Sequence, residues 1–408
     1  MDRRENNWMN ERRTKFDRWF SIFLDKYVYY IAVCLLIVLS GMIRIQFMPN
    51  CSISSDYTDF ILPWITKYRE SGIVAGLSQT IGDYYVPYNV VIALIAQSSM
   101  DPGIMVAIVS CTAEYIAALF IYKIACLIMK ENGYINPEHK ACMIAVLTLY
   151  LPFVILNGSL WKQCDSIYTC FLVICLYELL KKKYTAAFIF FSIGFCFKLQ
   201  AIFMLPVLLT VYLVRKDFSI LQFLWIPAVY FAAGLPAIVC GRDFASTYGV
   251  YINQTGEYGS MMAMGAPNIY KFGLSDYTVL SKAAIYVTMA VIIVTALFCI
   301  RKHSILNSGN LTYLCAFMIW SCFMFLPGMH ERYDYAAVLM ITIYIFASMN
   351  RRMYWVPIVL NICLITTYSK FLFGESIIPM PAIAVPYCMV YFIVAFDLKK
   401  KLETSEQF

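Results

Sequence analysis

The chain has 408 residues, of which 61% are hydrophobic and only 14% charged, and its mean hydropathy is +0.68. Soluble chains carry about 25% charged and about 45–50% apolar residues, so a soluble enzyme, a disordered protein and an ordinary nucleic-acid binder are excluded. The formal charge of +7 is read first as topology, because Lys and Arg gather in the cytoplasmic loops of membrane proteins.

Residues 1–26 carry Arg3, Arg4, Arg12, Arg13, Lys15, Arg18 and Lys26 interleaved with Trp8, Phe16, Trp19, Phe20 and Phe23. That pattern suits a basic amphipathic segment on the inner membrane surface and predicts a cytoplasmic N-terminus. The apolar run that follows has no small-residue cleavage site after it and reads as a retained anchor. Apolar runs then suggest spans near 27–47, 103–130, 141–158, 164–180, 184–198, 200–214, 219–240, 282–300, 311–327, 333–349, 353–369 and 379–396. Basic clusters such as Lys181 to Lys183, Arg215 with Lys216, Arg351 with Arg352 and Lys399 to Lys401 mark alternate ends. Placing them inside makes 397–408 a cytoplasmic tail and 27–396 a single membrane domain.

Val86 to Ser99 is apolar but short for the roughly 20 residues of a crossing, and is read as re-entrant or packed along the outer side. The sequence therefore predicts an all-α polytopic integral membrane protein with about 12 transmembrane helices, in the range of about 11–13. Its long first outer loop, about 48–85, carries juxtamembrane helices, and a second outer loop covers about 241–281. The fifteen cysteines lie mostly in apolar runs without ligand spacing and read as small helix residues.

Ionisable groups at membrane depth are expensive, about 2.5–3.5 kcal/mol each at a helix centre. Under this topology several fall at one level, the outer face. Asp56 and Asp59 open the first loop; Lys162, Gln163 and Asp165 sit at the third-to-fourth junction; Lys198 and Gln200 form the tip between the fifth and sixth spans; His330, Glu331 and Arg332 lie between the ninth and tenth. Any one of these is compatible with a wet helix end. Together they describe a cavity for a polar, anionic substrate, with carboxylates as base or metal ligands and Lys198, His330 and Arg332 as phosphate partners. Lys123 and Glu114, inside the second span, have no role in that picture.

These same residues carry a resemblance. Ser55 to Trp64 (SDYTDFILPW), Trp161 to Tyr168 (WKQCDSIY), Phe197 to Pro206 (FKLQAIFMLP), Phe325 to Tyr333 (FLPGMHERY) and, more weakly, Ala266 to Tyr270 with Gln254 resemble the polytopic GT-C glycosyltransferases. Within that class the likeness is to bacterial mannosyltransferase-like proteins related to GPI mannosyltransferase II. The resemblance implies a GT-C-like bundle in a bacterial plasma membrane, with the active site on the outer face. It implies inverting transfer of a hexose, by family habit mannose, from a polyprenyl-phosphate-linked donor to a glycan or lipid-linked acceptor of the cell envelope. Asp56 would then be the general base. Lys198, Gln200, Arg332, His330, Asp165 and Gln163 would bind donor phosphate and sugar, with Asp59, Lys162, Gln254 and Asn268 as additional candidates. The family's usual Trp-Gly-Gln reads Trp161-Lys162-Gln163 here. No cofactor is fixed by the sequence; a divalent Mg or Mn ion, if used, would fall to Asp56 and Asp59, whose spacing departs from the Asp-x-Asp pattern. The alternatives are a transporter or flippase of a lipid-linked or anionic sugar, and a lipid-linked glycan polymerase or ligase. A transporter would be expected to show internal repeats, and none is visible.

Overall fold

A computed structural model describes residues 14–53, 55–257, 261–302 and 306–404. Arg3, Arg4, Trp8, Arg12 and Arg13 of the predicted surface segment lie outside the described residues. The chain divides into two compact units, 1–43 and 44–408.

The architecture is almost wholly helical. In chain order the helices are α1 (Lys15–Phe47), α2 (Leu62–Leu77), α3 (Val86–Ala96), α4 (Pro102–Glu131), α5 (Glu138–Thr148), α6 (Pro152–Ile155), α7 (Asp165–Leu180), α8 (Tyr184–Phe197) and α9 (Leu205–Arg215). They continue as α10 (Trp225–Val239), α11 (Phe244–Tyr248), α12 (Val250–Glu257), α13 (Tyr277–Arg301), α14 (Ser308–Phe325), α15 (Tyr335–Ala347), α16 (Trp355–Phe373) and α17 (Met380–Thr404). Two dipeptide strands, β1 (Ala263–Met264) and β2 (Met329–His330), pair in parallel.

Among the described residues seven helices are long and apolar enough to cross a membrane, or eight if the pair Glu138–Thr148 and Pro152–Leu160, bent by 53°, is one span. This is the composition of an all-α multi-pass membrane protein. The other four predicted spans fall on α7, α8, Leu199–Arg215 and α15, of 16 residues for α7, 14 for α8 and 13 for α15. At 1.5 Å per residue, α7 rises only about 24 Å, short of a hydrocarbon layer of about 30 Å. The 11 residues of α3 are shorter still, which accords with reading 86–99 as something other than a full crossing.

Within the second unit α14 and α15 form the interior. All residues of α14 except Gly309 are buried, as are all residues of α15 except Phe346. The polar interior is tied together by side chains. Glu114, unexplained by sequence, pairs at 2.6 Å with Arg44 from the last turn of α1, both side chains about 1% exposed. Gly158 permits this, since a Cβ there would lie 2.4 Å from Glu114 Oε1. Lys123 places its ammonium 4.5 Å from the Phe120 ring centre.

Removing one member of a buried ion pair strands the other charge and costs about 3–5 kcal/mol, whereas replacing both with apolar groups is often neutral. Glu114→Ala should therefore lower the thermal midpoint of the detergent-solubilised protein sharply, and Arg44→Met with Glu114→Leu should recover most of it. Equal losses in the single and double variants would show that the pair does not act as a unit.

Candidate functional site

The site is built from helix ends. Residues Asp56–Ile61 form a π-helical turn that continues into α2, and Pro63, which has no amide proton to donate, lies where the turn passes into the α-helix. Asp165 is the first residue of α7, where a carboxylate meets the positive end of the helix dipole. Lys198 terminates α8 with extended backbone (φ −153°) before a 3-10 turn over Leu199–Met204. Arg332 follows β2 in the loop between α14 and α15.

These pieces meet. Asp56 Oδ2 accepts hydrogen bonds from Trp161 Nε1 and Gln163 Nε2, each at 2.9 Å, and lies 3.7 Å from the Arg332 guanidinium. Asp165 is fully buried; its Oδ1 is 2.6 Å from Lys198 Nζ, and its Oδ2 accepts from Asn157 Nδ2 at 3.1 Å. Arg332 Nε stands 3.8 Å from Asp165, and its terminal nitrogen is 2.5 Å from Glu331. His330 Nδ1 is 3.8 Å from the other Glu331 oxygen. The Arg332 guanidinium also sits 5.3 Å from the Trp161 ring centre, within cation–π range.

Burial alone would weaken the charge on Arg332, but Glu331, Asp56 and Asp165 outweigh it and hold its pKa well above the ordinary guanidinium value. Burial likewise opposes charge on Glu331, yet Arg332 and His330 bring its pKa below the usual 4.5. A carboxylate with a depressed folded-state pKa contributes stability that is complete above the unfolded value and is lost as pH falls through the folded one. The Glu331 contribution is therefore constant across neutral pH and disappears only in acid.

The loop carrying His330, Glu331 and Arg332 is held from the segment that precedes α13. Beyond the β1–β2 pairing, the Gly328 amide donates to the carbonyls of Met261 and Met262. Gly265 has φ +114°, and a Cβ there would come within 2.5 Å of Glu331 Oε2. No other residue type lets the two loops approach so closely.

A cavity of about 420 Å³ opens beside this cluster, within the usual range for small-molecule sites. Lys198, Arg332, Gln200 and Gln254 line it, with Tyr84 and Tyr333 among its aromatic walls. Asp56 does not line it and reaches it through Arg332.

Of the remaining candidates, Asn268 bonds to Phe323 O and the Tyr270 amide, anchoring the segment before α13, and does not line the cavity. Lys162 is completely buried and donates to Met48 O at 2.7 Å and Ser159 O at 2.5 Å; burial lowers its pKa. It ties the start of the first loop to the segment that orients Asp56. Its φ of +62° is one that glycine adopts freely, so a Trp-Gly-Gln pattern would suit this backbone. Asp59 is exposed and accepts from Thr58, while Asp56 Oδ2 is occupied by two N–H donors and a cation. The pair does not converge, and among the described residues no three of His, Cys, Asp and Glu group as metal ligands. The donor set does not fit a divalent ion.

Sequence reasoning did not single out Asp83 on the cavity wall, Asn157 beneath Asp165, or Asp334, which accepts from Tyr387 at 2.5 Å just beyond Arg332. No protein-family model matches the chain, and a comparison with curated proteins finds no match.

Replacing Lys162 by Met leaves the carbonyls of Met48 and Ser159 without their donor, at about 1–3 kcal/mol for each stranded group. Lys162→Met should lower thermal stability while leaving affinity for a lipid phosphate within about twofold. Arg332→Gln should weaken that affinity by at least about tenfold. The opposite ranking in a binding measurement would return Lys162 to the ligand-contacting set.

Proposed function

We propose that the protein is a membrane hexosyltransferase of GT-C type that uses a polyprenyl-phosphate-linked sugar. The observation that carries this reading is the placement of two cations, Lys198 and Arg332, on the wall of one cavity, with the Asp56 carboxylate 3.7 Å behind Arg332. The five sequence blocks of the resemblance supply three of the positions in that arrangement.

In this reaction an acceptor hydroxyl attacks the anomeric carbon. A carbon–oxygen bond forms there as the bond to the phosphate oxygen breaks, polyprenyl phosphate departs as the anion, and the hydroxyl proton passes to Asp56. The anomeric configuration inverts. Donor and acceptor approach from different sides: the donor phosphate from the cavity, against Lys198 and Arg332, and the acceptor from the exposed side of Asp56, whose side chain keeps 31% of its surface. Trp161 and Gln163 grip Oδ2, and among the described residues Oδ1 has no hydrogen-bond donor, so it is the oxygen that takes the proton. Isoleucine and phenylalanine side chains at Ile202, Phe203 and Ile285 suit the first isoprene units of the lipid. Mannose is the sugar that the resemblance suggests, and the outer face of a bacterial plasma membrane the place.

The test follows polyprenyl phosphate released from polyprenyl-phosphate mannose or glucose by purified protein in nanodiscs, with a membrane-glycan extract as acceptor. Asp56→Asn should reduce turnover by about 10²–10⁴-fold, the usual contribution of a general base, with donor affinity retained. Full turnover without the carboxylate would end the assignment. Transfer of lipid-linked sugar across proteoliposome membranes without release would instead favour the flippase.

A further inference from the structure

Two cations outside the cavity, Lys271 and Lys370, sit in segments that pack around Gly265. Lys271 closes the 3-10 turn Ile269–Lys271 before α13, and Lys370 lies in the last turn of α16. Neither lines the 420 Å³ cavity, and the proposed chemistry gives neither a part. A Cβ on Gly265 would lie 2.5 Å from Glu331 Oε2 and 2.9 Å from the Phe371 ring. Phe371 in turn stacks on Trp161, with ring centres 5.7 Å apart, and Trp161 is the ring whose Nε1 holds Asp56. The end of α16 is also tied to the first loop, where the Ile53 amide donates to Leu372 O at 3.0 Å.

The two ammoniums are short of counter-charge. Lys271 is half-buried, and its Nζ donates to the Ala263 carbonyl at 3.2 Å; an ammonium has three N–H groups to place. Lys370 is exposed. Among the described residues neither has a carboxylate within 4 Å. Glu331, which is within electrostatic reach of Lys271, is already engaged by Arg332 at 2.5 Å and by His330 at 3.8 Å. Burial and the Lys370 ammonium hold the pKa of Lys271 below its ordinary value, with Glu331 opposing them. An anion seated between the two lysines reverses that balance and favours both charged forms. A place in the last turn of a helix suits a cation, but it accounts for Lys370 alone.

We propose that Lys271 and Lys370 bind an anionic group, phosphate or carboxylate, carried by the acceptor. The donor phosphate has its own cations in Lys198 and Arg332, on the wall of a cavity that these two lysines do not reach. The acceptor approaches the exposed side of Asp56, and the contacts from that carboxylate to the end of α16 run through the Trp161 and Phe371 rings. The anion is thus offset from the attacking hydroxyl by those rings and belongs to another part of the acceptor. The proposal rests on the transferase reading and adds the chemical class of the acceptor.

The experiment separates the membrane-glycan extract by anion exchange into acidic and neutral fractions. Each is titrated as acceptor against the full chain in nanodiscs, with polyprenyl-phosphate mannose or glucose as donor. Wild type should use the acidic fraction at the lower half-saturating concentration. The double variant Lys271→Gln with Lys370→Gln should raise that concentration by at least about tenfold, the worth of hydrogen bonds to a charged group. Its maximal rate and its half-saturation by the neutral fraction should stay within about twofold, which also reports that it is folded. Lys271→Arg with Lys370→Arg should keep most of the preference. Preferred use of the neutral fraction by wild type, no change in the variant, or an equal loss for both fractions overturns the proposal while leaving the transferase reading intact. A loss seen only when the nanodiscs contain phosphatidylglycerol rather than phosphatidylcholine alone also overturns it, assigning the lysines to a bilayer headgroup. Failure of wild type to release polyprenyl phosphate with either fraction removes the transferase reading and this proposal with it.

Discussion

Arg332 is the group on which the arrangement turns. Its guanidinium is about nine-tenths buried and within 4 Å of three carboxylates, Glu331, Asp56 and Asp165, that come from three separate parts of the chain. A guanidinium taken out of water without partners would cost several kcal/mol. Each carboxylate offsets part of that cost and is in turn kept ionised by the cation. The first loop, the start of α7 and the α14–α15 loop are thus fixed to one point by charge rather than by apolar packing. Lys198 extends the same network to the end of α8 through Asp165.

That network requires helix ends to meet where the chain would otherwise continue as helix. The short helices meet this need. A 16-residue α7 or a 13-residue α15 cannot reach across a full hydrocarbon layer. Neither is long enough by itself to be a complete span. Asp165 opens α7, and Arg332 lies three residues before α15. The backbone groups freed by these breaks need partners in a low-dielectric setting, and buried side chains supply some of them. Lys162, which donates to the carbonyls of Met48 and Ser159, is one such partner.

Much of this was legible in the sequence. Hydropathy located all seven long helices and the broken run at 138–160, and the polar residues at 56, 163, 165, 198 and 332 were grouped by assuming that alternate loops share a face. What hydropathy could not supply was length: a buried 13-residue helix and a membrane span have the same composition, so the count near 12 rested on runs that the structure ends early. Side-chain direction was equally hidden. Lys162 reads as an extra cation beside the site, yet its left-handed backbone turns it toward the Met48 and Ser159 carbonyls. Asn268 stands in a matching block and serves the loop. Asp83 was missed because it is a single acid among aromatics, and Asp334 because it abuts an apolar run; both acquire meaning only from neighbours distant in sequence. Glu114 required Arg44, 70 residues away.

The charge balance of the cluster bears on how such a site would work under the transferase reading. Three carboxylates surround two fixed cations, so the cluster presents no excess of positive charge to a resting lipid phosphate. Tight ground-state binding of the donor would lower the substrate concentration needed without speeding the chemical step. A site whose cations are already shared holds the intact phosphodiester weakly. It gains most when the glycosidic bond breaks and a second full charge develops on the departing phosphate, because preformed donors in a water-poor site respond to charge as it appears. Asp56, neutralised by the incoming proton at that same moment, releases its claim on Arg332, and the guanidinium becomes more available to the leaving group. Base and phosphate partner are thus coupled through one side chain, and the 3.7 Å between Asp56 and Arg332 is the distance over which that coupling would act.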